Sequence, residues 1–130
     1  MALDPRHLPE EVEAFLAERH LATLTTLRPD GTPHVVAVGF TWDPQAGLVR
    51  VITNGPSRKV AHVRAGSPRA VVAQVDRARW LSLEGVPRVS DDPERVAEAV
   101  RRYALRYRQP SENPRRVVVE IAVDRVLGRG

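Results

Sequence analysis

Residues 52–66 read ITNGPSRKVAHVRAG and hold the single lysine of a chain that carries nineteen arginines. Ser57, Arg58 and Lys59 fall where an apolar run gives way to a predicted helix. The first N–H groups of a helix have no intrahelical acceptor, and the helix dipole leaves partial positive charge there. A hydroxyl, a guanidinium and an ammonium at that point add three donors for one anion. The chemistry such a turn supports is capture of a phosphate or carboxylate. The same spacing also fits a capped short helix whose Arg58 and Lys59 simply face water.

No other stretch offers as much. His7, His20, His34 and His62 lack the i, i+4 spacing of an HExxH zinc site, so no metal is expected. GxSxG and GxxxxGK[ST] do not occur, and no GxGxxG is present to hold a dinucleotide. The absence of cysteine removes disulfides, thiolate catalysis and Cys-ligated metals together. Ser82 has no base evident nearby in sequence. Glu84 and Glu120 lie inside predicted strands, where such carboxylates are ordinarily structural.

The elements that must position the turn are mostly strands. Pro9-Glu10-Glu11 opens a helix with Val12, Phe15 and Leu16 as its buried stripe. LATLTTLR, 21–28, alternates with period two, and Pro29-Asp30-Gly31-Thr32 is a turn. PHVVAVGFTW, 33–42, is a strand long enough to bend, with a kink at Gly39. LVRVIT, 48–53, is the next strand, followed by the Ser57 helix with Val60 and Val63 inward. Strands follow at 69–76 and 80–90, the second bent or at an edge near Gly85 and Pro87. Asp92-Pro93 caps a helix whose stripe is Val96, Ala99, Val100, Tyr103 and Tyr107, and 115–128 closes as a strand. Six strands and three helices in the order αβββαββαβ predict a mainly β fold, a small barrel with helices.

Composition bounds the rest. At 130 residues, 42% hydrophobic and 28% charged, the chain is predicted to be one globular domain spanning 1–130. No apolar run is long enough for a membrane span and no signal-peptide pattern opens the chain, so a cytoplasmic setting is expected. The net charge of +4 favours anionic partners. Nucleic acid is not expected, because the arginines are scattered and only 5% of residues are aromatic.

Longer stretches carry a family resemblance. RHLATLTTLRPDGTPHVVAVGFTWDPQAGLVRVIT, NGPSRKVAHV, AVVAQVDRARWLSLEG, RRYALRYRQPSENPRRVVVEI and VDRVLG, together spanning roughly residues 12–128, resemble the split β-barrel flavin and deazaflavin oxidoreductases. This is the pyridoxamine 5'-phosphate-oxidase-like superfamily. Within it the chain is most similar to the coenzyme F420-dependent branch and the mycobacterial F420H2-dependent biliverdin reductase group. The resemblance implies a split β-barrel of the FMN-binding type and a homodimer with two cofactor sites at its interface. It implies reduction of a conjugated planar molecule, foremost biliverdin, with the deazaflavin F420H2 as hydride source.

Residue by residue, the resemblance assigns Ser57, Arg58 and Lys59 to the phosphate-binding turn, and Ile52 and Thr53 to backbone contact with the ring. Val36, Ala37 and Val38 match the strand lining the ring pocket. Gln74 and Trp80 fall where the second subunit closes the site. On their own terms Val36 and Val38 also fit a core, Trp80 fits interface packing, and Gln74 fits a bond to a neighbouring backbone group. His34 fits either cofactor contact or solvent. No residue is singled out as catalytic. Two rivals remain at this point: an FMN-dependent oxidoreductase on the same barrel, and a non-catalytic module for flavin, haem or tetrapyrrole. The sequence stops soon after Val126-Leu127-Gly128, without the substrate-binding C-terminal extension of pyridoxamine-phosphate oxidases proper, so that particular oxidase is not expected.

Overall fold

The computed structural model describes residues 2–129. Met1 and Gly130, the ends of the expected 1–130 domain, lie outside the described residues. Eight strands and three helices follow one another: β1 (Ala2–Leu3), α1 (Glu10–Ala17), β2 (Ala22–Leu27), β3 (Pro33–Val38), β4 (Thr41–Asp43), β5 (Leu48–Asn54), α2 (Arg58–Arg64), β6 (Ala70–Asp76), β7 (Arg79–Ser90), α3 (Pro93–Arg106) and β8 (Arg116–Arg129). The mainly β expectation holds, and the count of six strands is corrected to eight. Ala2–Leu3 pairs with Val126 and Leu127 of β8, a two-residue strand too short to leave a periodic signal. The run 33–42, expected as one kinked strand, is two strands separated by Gly39 and Phe40.

That break has a physical cause in α3. The Phe40 N–H donates to Tyr107 Oη at 3.2 Å, and the Phe40 carbonyl accepts from Arg106 Nη1 at 2.6 Å. Side chains, not a neighbouring strand, therefore satisfy this peptide, and the ladder lapses. Gly39 is needed beside it. A Cβ there would stand 3.1 Å from the Tyr103 ring and 3.2 Å from the Tyr107 ring.

Every strand pairing is antiparallel, in the order β3-β2-β6-β7-β8-β5-β4. The two ends of this path, β3 and β4, are successive in the chain and only two residues apart. Two residues span less than ~10 Å, so the sheet must curl until its edges meet at the Gly39–Phe40 corner. Inside lie Leu24, Phe40, Val49, Val51, Val72, Leu81, Leu83, Val119 and Ile121, with Phe15 and Leu16 of α1 packed against them. The expected α1 stripe of Val12, Phe15 and Leu16 is buried throughout. The α3 stripe is shallower, with only Ala99 fully buried, because this helix lies on the outside of the sheet.

The bend and the edge foreseen near Gly85 and Pro87 are both present. A bulge falls between Glu84 and Gly85, where a Cβ on Gly85 would overlap the Ala122 carbonyl at 1.8 Å. β6 reaches only as far as Gly85, so from Val86 onward β7 has β8 as its sole partner strand. Pro87 thus sits where one side needs no ladder donor. Glu120 is buried at 1% exposure and held by Arg88 and Arg95, a structural role as expected.

Candidate cofactor site

A cleft of about 270 Å³ opens beside the corner. One wall is the end of β3, where Ala37 and Val38 lead into Gly39. The floor is the end of β5, Ile52 to Asn54. Strand register brings β8 alongside: Asn54 stands opposite Arg116, and the Gly55 N–H donates to the Arg115 carbonyl at 2.8 Å. Lys59 enters from α2 and Tyr103 from α3, while Pro110 and Asn113 contribute from the loop before β8.

Charge in the cleft is one-sided. Lys59 and Arg116 line it, and no carboxylate does. Among the described residues neither cation has an ion-pair partner; Arg116 Nη2 donates to the Ser111 carbonyl at 2.7 Å. Burial pushes the Lys59 ammonium below its ordinary pKa. A partly desolvated cation without a counter-charge is unfavourable by itself and gains when an anion arrives. The first helical hydrogen bond of α2 runs from the Ala61 N–H to the Ser57 carbonyl, so the Arg58, Lys59 and Val60 amides are not spent on the turn before them.

The aromatic end is held in place from behind. Tyr103 and Tyr107 have ring centroids 4.8 Å apart. Tyr107 Oη donates to the His20 carbonyl at 2.6 Å, and burial pushes that phenol up, so it stays a donor. A planar group entering the cleft meets the Tyr103 ring at one end and two cations at the other.

The residues picked out in the sequence divide accordingly. Ala37, Val38, Ile52, Thr53 and Lys59 come together in the cleft. Ser57 lies just behind, its Oγ accepting a long 3.4 Å bond from Thr53 Oγ1 and making no cap bond. Arg58 is exposed and outside the cleft lining. Val36 turns inward against the core. Gln74 is fully buried: its Nε2 donates to the Phe15 carbonyl at 2.9 Å and its Oε1 accepts from Arg106 at 2.6 Å. Each of its polar ends is bonded, so within this chain it braces α1 and the end of α3. Trp80 is 39% exposed on the outer sheet face, away from the cleft. His34 is half-buried beside α2. Its ring meets His62 edge-on at 4.7 Å, and its Nδ1 is buried without a partner. Burial, then the neighbouring His62, Arg28, Lys59 and Arg58, hold the His34 pKa down.

The family model for pyridoxamine 5'-phosphate oxidase matches residues 8–130. The chain belongs to the pyridoxamine 5'-phosphate oxidase family. Within that family it is 57% identical, over 93% of its own length and 88% of the relative's, to the F420H(2)-dependent biliverdin reductase of Mycobacterium tuberculosis (strain CDC 1551 / Oshkosh). A solved F420 reductase superposes with a TM-score of 0.74 at 26% identity, covering 92% of this chain and 98% of that one. A conserved hypothetical protein of M. tuberculosis gives 0.79 at 25% identity, covering 95% and 85%. This member of the family therefore presents, at the corner of its curled sheet, a cleft with two cations, no acid and one aromatic wall. Tyr103, Asn113 and Arg116 had no local signal. Tyr103 read as part of a buried stripe, and Arg116 enters only through its register with Asn54.

Proposed function

We propose that the chain is an F420H2-dependent reductase acting on biliverdin, forming bilirubin. The observation that carries this reading is the 57% identity, along nearly the whole chain, to a protein of that activity. The cleft fits the cofactor chemistry, since a deazaflavin pairs a flat ring with a phosphate-bearing anionic tail. When bound, the reduced deazaflavin supplies the hydride. The chain supplies position. Lys59 Nζ and the Arg116 guanidinium hold the anionic part, with Thr53 on the floor beside them and Ser57 and Arg58 outside the lining. The small side chain of Ala37 lets a ring lie against the end of β3. Val38 and Ile52 keep that surface dry, and Tyr103 limits how far the ring slides.

The functional unit in this reading is a homodimer. The outer face of β2, β3, β6, β7 and β8 exposes Val35, Val75, Trp80 and Leu127, with Thr23, Ala37 and Ala73 between them in register. Exposed apolar side chains gathered on one sheet face, with Thr25 and Ser82 among them, support an association surface here. Ala37 belongs both to this face and to the cleft, so a second copy would border the site. Trp80 acts here as an interface anchor. No helix among the described residues is long and apolar enough to cross a membrane; a cytoplasmic setting belongs to the same reading.

The test is direct. Purified protein is titrated with F420 and with FMN, and biliverdin loss is then followed with F420H2 or NADPH as reductant. Tighter binding of F420 and turnover with F420H2 alone are expected. Turnover with reduced FMN in preference to F420H2 would overturn the assignment.

A further inference from the structure

A second cleft, of about 320 Å³, opens on the far side of Tyr103. Its walls are His20, Leu21 and Tyr107, and its rim carries Arg19 and Arg108. The Tyr103 side chain lines both clefts and so forms the partition between them. The partition is braced by Tyr107, whose hydroxyl is tied to the His20 carbonyl, and by the Gly39 backbone, which leaves no room behind the rings.

The arginines of this second cleft differ from most of their kind in the molecule. Arg79 is committed to Glu18 and Asp76, and Arg106 to the Glu18 and Phe40 carbonyls and Gln74. Arg19 and Arg108 make no hydrogen bond or ion pair among the described residues. Glu18, next to Arg19 in the chain, is already paired with Arg79, and Asp76 with Arg79 and with His20 Nε2 at 3.8 Å. Beside these two free guanidiniums stands Leu21, 67% exposed although it is large and apolar. An apolar wall, an aromatic ring and two uncommitted planar forks together suit a flat molecule that ends in carboxylates.

We propose that this cleft is the substrate's carboxylate subsite. A planar conjugated carboxylate would lay its reacting part in the first cleft, pass the edge of Tyr103, and place its acid groups between Arg19 and Arg108. The proposal rests on the reductase reading above and extends it to the side chains that select the substrate. It assigns substrate selection to residues separate from Lys59 and Arg116, which serve the cofactor.

The double variant Arg19→Gln/Arg108→Gln, compared with the parent, tests it using biliverdin and its dimethyl ester. Exposed charge pairs are individually weak, so the KM for biliverdin should rise about two- to thirtyfold at low salt. The F420 dissociation constant should stay within about twofold, since the cofactor cations are untouched. The parent should handle the dimethyl ester about as poorly as the double variant handles biliverdin. Arg19→Lys/Arg108→Lys should recover part of the loss, because charge survives while the fork does not. An unchanged KM for biliverdin in the Gln variant overturns the subsite and leaves the reductase reading standing. If the parent fails to reduce biliverdin, the reductase reading falls instead. The subsite is then decided by absorbance titration of biliverdin, where equal affinity for parent and Gln variant overturns it and a weakened variant upholds it.

Discussion

Lys59 is the chain's only lysine, it is partly buried in the cleft, and its pKa is lowered by that burial alone. A charge-assisted hydrogen bond contributes about 1.5–3 kcal/mol, so Lys59→Ala should weaken F420 binding about 10- to 150-fold by fluorescence titration. Turnover at saturating cofactor should change much less, because a phosphate clamp holds ground and transition states alike. The lowered pKa adds a sign. Binding needs the charged ammonium, so affinity should decline as pH rises through a value below the ordinary 10.5. Lys59→Arg keeps its charge throughout that range and should abolish the decline while restoring only part of the neutral-pH affinity. A parent whose affinity stays level up to pH 10.5 would remove Lys59 from the clamp. The anion turn was legible because residue type and helix start coincide within a few positions. Arg116 was not, since its place beside Asn54 is a property of β5–β8 register across more than sixty residues of chain.

Among the elements, α3 does more than its sequence announces. Its periodic stripe correctly marks the packing face, yet Tyr103 and Tyr107 spend that face on the Gly39–Phe40 corner and not on the core. Hydrophobic periodicity reports which side of a helix is covered, and not what covers it. The same limit explains Gln74, which sits at an inward β6 position that pattern alone cannot distinguish from a ligand contact. Gly39→Ala should cost about 1–3 kcal/mol in urea unfolding, the range for overpacking, and should weaken F420 binding because the Tyr103 ring must move. Gly85→Ala is a harsher case. Its Cβ would collide with backbone at the bulge, where nothing flexible can yield, so a loss above about 4 kcal/mol or failure to fold is expected. Wild-type stability in Gly85→Ala would contradict the bulge geometry. The kink itself was foreseen at Gly39, but that it severs the strand depends on Arg106 and Tyr107, more than sixty positions away.

At the scale of the whole molecule, several carboxylates are held by arginines below their ordinary pKa. Glu98 is brought down to about 2 by Arg101 and Arg102. At Glu120 and Asp43 burial pushes up, but Arg88 and Arg95 in the first case and Arg50 in the second more than offset it. Depressed folded-state values contribute stability that is complete above the unfolded pKa, near ~4.3 for Glu, and is lost as pH falls toward the folded values. The melting temperature should therefore fall most steeply below about pH 4.5, after a smaller earlier decline below about 6.5 where the lowered His34 pKa lets the unfolded chain take up a proton first, and Glu98→Gln should flatten part of the acid fall. Association has its own test: Val75→Glu places a charge in the outer apolar face and should turn a sedimenting dimer into a monomer. A parent that sediments as a monomer at micromolar concentration would remove the partner from the site. The curled sheet also governs how a ligand is admitted. Around most of its circumference, separating neighbouring strands means breaking consecutive ladder bonds, but β3 and β4 share no ladder among the described residues, and the Phe40 corner joining them is held by Arg106 and Tyr107. This seam is where the molecule can breathe at least cost, and the cofactor cleft lies directly on it. Amide exchange at Phe40 should run well ahead of that at Leu24 or Val72, and a bound ligand should slow the first while leaving the others unmoved.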